Sequence, residues 1–94
     1  MSQRKVPFIT VTLQMQRLLF DGYRPHLQVD GGEYLGISFF DVAANEPETP
    51  FTAKARLSYW PEVDYTPLQA GVAFHVKEGA KTVGTGIVTE GWSN

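Results

Sequence analysis

The chain is expected to fold as an all-β antiparallel barrel or sandwich, and three observations lead there. About six short segments alternate apolar and polar residues with a period of two. Turns rich in Gly and Pro separate them, and no segment carries an apolar stripe at helical spacing. The last segment, Thr82 to Thr89, holds Gly84 and Gly86 inside a β-branched run. Glycines there mark a bulge, a sharp barrel corner or a second backbone passing close by, which favours a closed barrel.

Val6 to Met15 places Ile9, Val11, Leu13 and Met15 on one parity and Thr10, Thr12 and Gln14 on the other. That is a half-buried strand, with Pro7 tolerated near its start or on an edge. Gln16 to Phe20 either extends it or forms a short apolar connection. Asp21-Gly22 is a strong reversal signal, and Arg24, preceding Pro25, is pushed toward extended geometry. His26 to Val29 reads as a strand closed by the turn Asp30-Gly31-Gly32. Tyr34 to Val42 carries Leu35, Ile37 and Phe39 on one side and Phe40 and Val42 on the other. Apolar groups on both faces predict a strand that is central or covered at one end.

Ala43 to Pro50 is a polar loop containing Pro47 and Pro50. Phe51, Ala53, Ala55, Leu57 and Tyr59 then alternate with Thr52, Lys54, Arg56 and Ser58, the clearest strand of the chain. Trp60 to Pro67 is a second loop, both aromatic and acidic. Val72, Phe74 and Val76 alternate with Ala73, His75 and Lys77. The turn Lys77-Glu78-Gly79-Ala80-Lys81 follows, its glycine free to take positive φ. Leu13, Ile37, Leu57, Phe74 and Ile87 are expected to fill the interior, since a barrel of this size is packed with side chains.

Composition bounds the function. The 94 residues, 43% hydrophobic and 19% charged, suit one folded domain over 1–94 with its core at 6–89. No charged-then-apolar leader and no long apolar run occurs, so neither export nor membrane insertion is expected. The absence of cysteine removes disulfides and thiolate metal sites and suits a reducing, cytoplasmic compartment. A net charge of −2 argues against dedicated nucleic-acid binding, whose usual footprint is a basic excess.

Two segments carry a family resemblance: Phe20-Asp21-Gly22-Tyr23-Arg24-Pro25, and the hairpin from Lys77 through Val88. Together they resemble the third domain of elongation factor Tu. That family carries a Phe-x-Gly-Tyr-Arg-Pro segment and ends in an Arg-Glu-Gly-Gly-Arg-Thr-Val-Gly-Ala-Gly-Val-Val type of hairpin. Both occur here in the family's order, with Phe74-His75-Val76 at the position of a similar strand, so the likeness spans Val6 to Val88. It implies a six-stranded Greek-key barrel and a module that helps grip the T-stem of aminoacyl-tRNA. Two departures weigh against RNA. Gln16 to Phe20 replaces a basic, glycine-rich loop of the family, and Lys77 and Lys81 replace arginines, keeping charge but losing bidentate phosphate geometry. No Gly-x-x-x-x-Gly-Lys-Ser/Thr motif occurs, so no nucleotide is expected.

Candidate sites follow from both readings. Lys77, Glu78, Gly79, Lys81 and Thr82 form the turn that resembles the family's RNA contact, although a solvated turn is the plainer and favoured reading. Arg24 is expected in a buried pairing with Tyr23, with backbone carbonyls or a partner's carboxylate as alternatives. Trp60, Tyr65 and Trp92 flank an acidic loop, where exposed aromatics would anchor a protein partner and buried ones would plug the barrel end. His26 and His75 belong to no nucleophile motif and are too few for a histidine metal site; His75 is expected on the surface. Gly84-Thr85-Gly86 opens no helix and is no dinucleotide fingerprint. The chain is thus expected to be a non-catalytic binding module without cofactor or metal. It would take a protein partner or self-associate, with aminoacyl-tRNA as the alternative.

Overall fold

In the computed structural model, which describes residues 6–92, six strands follow one another with no helix between them. They are β1 (Phe8–Met15), β2 (His26–Gln28), β3 (Tyr34–Phe40), β4 (Phe51–Leu57), β5 (Ala73–Glu78) and β6 (Lys81–Glu90). They close a barrel in the order β1-β4-β3-β2-β5-β6, with β6 returning to β1 and every pairing antiparallel. β2, β3 and β4 run as a meander and β1 lies beside β4, which is Greek-key order. Closure leaves no unpaired strand edge. Among the described residues, no helix is long and apolar enough to cross a membrane.

Alternation decides which faces turn inward. Ile9, Val11, Leu13 and Met15 of β1 are buried, as are Phe51, Ala53, Ala55 and Leu57 of β4 and Leu35, Ile37 and Phe39 of β3. β2 is short because Pro25 has no N–H to offer, yet the pairing continues irregularly past it. The Ile37 N–H donates to the Pro25 carbonyl at 3.2 Å and the Phe39 N–H to that of Tyr23 at 3.0 Å. β3 stops at Phe40 rather than Val42, since Asp41 adopts a φ of 47° and breaks the ladder.

β6 departs most from expectation. Leu13 pairs with Gly86 and Met15 with Gly84, so two inward positions of this strand are glycines, while Val88, paired with Val11, fills a third. A Cβ on Gly86 would lie 2.7 Å from each of Leu13 Cβ, Phe74 Cζ and the Thr12 carbonyl oxygen. One on Gly84 would overlap Met15 Sδ and lie 2.8 Å from the Gln14 oxygen. The close backbone approach is therefore with β1. Ile87, expected in the interior, takes the opposite parity and is 42% exposed on the outside. Register shifts opposite Thr10/Val11 and Val76/Lys77 insert Thr89 and Val83 as extra residues of β6, and Val83 is buried.

Two plugs close the ends. Where β1 finishes, Leu19 is buried and its main chain is bracketed by the Asn45 amide, which accepts from the Leu19 N–H at 2.9 Å and donates to its carbonyl at 3.0 Å. Where β4 finishes, Tyr65 and Leu68 are wholly buried. Tyr59, expected on the inward parity, lies beyond the last residue of β4 and is exposed. Its ring rests over Gly36, where a Cβ would collide with it.

Candidate functional site

The hairpin turn is only partly a solvated loop. Lys77, on the outward parity, is nonetheless 9% exposed: its ammonium donates to Thr82 Oγ1 at 2.8 Å and lies 5.8 Å from the Tyr34 ring centroid. This corrects the expectation of a free ammonium at that position. Gly79 takes a φ of 58°, as the turn requires. Glu78 accepts hydrogen bonds from the Tyr23 hydroxyl and from Arg17 Nη2, the latter at 2.7 Å. Lys81 remains the exposed cation of the turn.

The Tyr23 hydrogen bond and then Arg17 hold the Glu78 carboxyl below its usual range. Burial first, and then Glu78, push the Tyr23 phenol well above its own. A depressed carboxyl favours the folded state above its unfolded pKa and loses that contribution as pH falls through the folded value. Thermal melts of the wild type and of Glu78→Gln should therefore differ at neutral pH and converge below the ordinary glutamate range. Equal melting temperatures at neutral pH would show that the Tyr23–Glu78–Arg17 contact adds nothing.

Arg24 is not in the buried pairing expected of it. Extended backbone with Pro25 buried turns Arg24 outward, and the cation that shares Tyr23's partner is Arg17. Of the aromatic trio, Tyr65 is an internal strut rather than an anchor. Its hydroxyl donates to the Gly36 carbonyl at 2.6 Å and accepts from the Tyr59 N–H at 3.0 Å. Trp92 is half-buried and its indole N–H donates to the Tyr65 carbonyl at 3.2 Å. Trp60 is half-buried against the same core. The plug reading thus describes Tyr65, and the trio does not form an open aromatic patch.

An unexpected surface emerges from the strand order. The chain has ten acidic residues, and none lies within β1, β4, β3 or β2, which are contiguous in the barrel wall. On the outer face of those strands Phe8 and Phe40 reach across β4 and meet edge to face, centroids 5.4 Å apart. Lys54 lies 5.4 Å from the Phe8 centroid and the Arg56 guanidinium 4.2 Å from that of Phe40. Lys54 also meets Asp41 at 3.4 Å. Among the described residues, neither Arg24 nor Arg56 pairs with a carboxylate. Both line a groove of about 290 Å³ with His26, Ser38, Ser58 and Tyr59. His75 lies outside this face, exposed on β5.

Among the described residues, no group of three or more His, Cys, Asp or Glu is placed to hold a metal ion. No protein-family model matches the chain, and no curated protein matches it.

Proposed function

We propose that the chain is a non-catalytic binding module, kin to the third domain of elongation factor Tu, that recognises a protein partner in the cytoplasm. The contact is the outer face of β1, β4, β3 and β2. One observation carries this reading: four adjacent strands free of carboxylates present the exposed Phe8 and half-buried Phe40 rings beside Lys54 and Arg56, and among the described residues Arg24 and Arg56 have no counter-charge. Aromatic and Arg side chains are the types that anchor protein interfaces. The RNA alternative rests on the hairpin ammonium groups, and Lys77 is occupied by Thr82 and sheltered from solvent. That makes it the weaker reading.

The test is affinity capture from ribonuclease-treated lysate with three baits. They are the wild type, a face variant (Phe8→Ser, Lys54→Glu, Arg56→Glu) and a control altered on β6, outside the four strands of the face (Thr85→Glu, Ile87→Glu). Proteins retained by wild type and control and lost by the face variant are expected, with all three baits folded by circular dichroism. Identical capture by all three, or capture abolished by ribonuclease, would contradict the proposal.

A further inference from the structure

Building on that reading, we infer that the partner presents an extended acidic segment whose carboxylates seat against Arg24 and Arg56. Closure of the barrel removes one common mode of peptide recognition, strand addition at a sheet edge, so recognition must run through side chains. The side chains available define the ligand. Two guanidinium groups that have no counter-charge among the described residues line one groove, and each offers the planar fork that matches a carboxylate. Ser38 and Ser58 bring hydroxyl groups to the same groove. Tyr59, 57% exposed, and Pro25 give it an apolar wall. Lys54 is already matched by Asp41, so unmet positive charge lies toward Arg24 and Arg56 rather than along the whole face.

A single-stranded nucleic acid fits less well. Such ligands stack successive bases on open aromatic faces. Here Arg56 covers the Phe40 ring, Lys54 and Phe40 occupy the surroundings of Phe8, and Tyr34 has His26 and Lys77 beside it. Tyr59 is left as an isolated platform. An extended peptide needs no such series, because its alternate side chains point the same way and carboxylates at every second residue share one face.

The experiment uses the full chain and three fluorescein-labelled probes: a decapeptide alternating Glu and Leu, its Gln–Leu counterpart, and decauridylate. The acidic peptide is expected to bind with a salt-sensitive rise in anisotropy and about tenfold more tightly than the Gln peptide. Arg24→Ala and Arg56→Ala should each weaken it by about tenfold, in keeping with loss of a charge-assisted hydrogen bond, and Lys81→Ala should leave it unchanged. Equal binding of the two peptides, or indifference to both arginine substitutions, would overturn the inference. Tighter binding of decauridylate would reassign the face to nucleic acid. A dimer without peptide that Arg56→Ala dissolves would assign the groove to a second copy. If these peptide tests fail while lysate capture still depends on the face, the carboxylate assignment falls alone. If face-dependent capture is also absent, the protein-binding reading falls with it.

Discussion

Gly86→Val is expected to unfold the protein or to cost more than about 3 kcal/mol, beyond the usual range for overpacking a core. At Gly86 the inward side of β6 has no room: Leu13 Cβ, Phe74 Cζ and the Thr12 oxygen all stand 2.7 Å from where the first side-chain atom would go. The Thr12 oxygen belongs to β1, whose pairing with β6 completes the barrel, so the strands must separate before the atom fits. Gly79→Ala gives the contrast. It has open space around it and a φ of 58°, so its cost is backbone strain of about 1 kcal/mol. Urea melts of the two variants check the ordering. A Gly86→Val protein as stable as the wild type would mean that β6 does not lie this close to β1.

Tyr65→Phe is expected to cost about 1–2 kcal/mol, since the Tyr59 N–H loses its partner while the Gly36 carbonyl keeps the Ser58 N–H at 3.3 Å. The hydroxyl serves two main-chain groups, the Gly36 carbonyl and the Tyr59 N–H, and so ties the loop after β4 to β3. Removing one oxygen leaves the ring in place and both groups without that partner. The measurement is the urea midpoint of Tyr65→Phe against wild type at unchanged slope. A loss below about 0.5 kcal/mol would mean that solvent reaches these groups and the plug is loose.

Strands whose inward residues are large were legible in the sequence. In β1 and β4 the apolar parity is continuous, and the buried set is the one the alternation names. β6 misled because glycine carries no hydrophobic signal: the inward positions opposite Leu13 and Met15 look empty, and Ile87 looks like the core residue. Tyr59 misled for a different reason, since alternation cannot say where a strand stops. Lys77 looks solvated in the sequence because the groups that shelter it come from elsewhere, the Tyr34 ring from β3, two strands away, and Thr82 from β6 beside a bulge.

The candidate face was less legible still. Arg24 and Arg56 are 32 positions apart, as their numbers give, and share a groove only because β3, β4 and the segment before β2 are adjacent. The absence of carboxylates from four strands can be counted in the sequence, but it acquires meaning only once those strands form one wall. Arg17 and Glu78, 61 positions apart, meet only through the chain's path over the barrel end.

The most direct measurement is photocrosslinking from two opposite points of the barrel wall. A benzoylphenylalanine replaces Tyr59, over β3, in one protein and Ile87, on β6, in the other. β3 and β6 face each other across the strand order, and both side chains are exposed. Adducts to protein at position 59 and none at position 87 are predicted. Adducts confined to position 87, or adducts at position 59 that ribonuclease removes, would contradict the account.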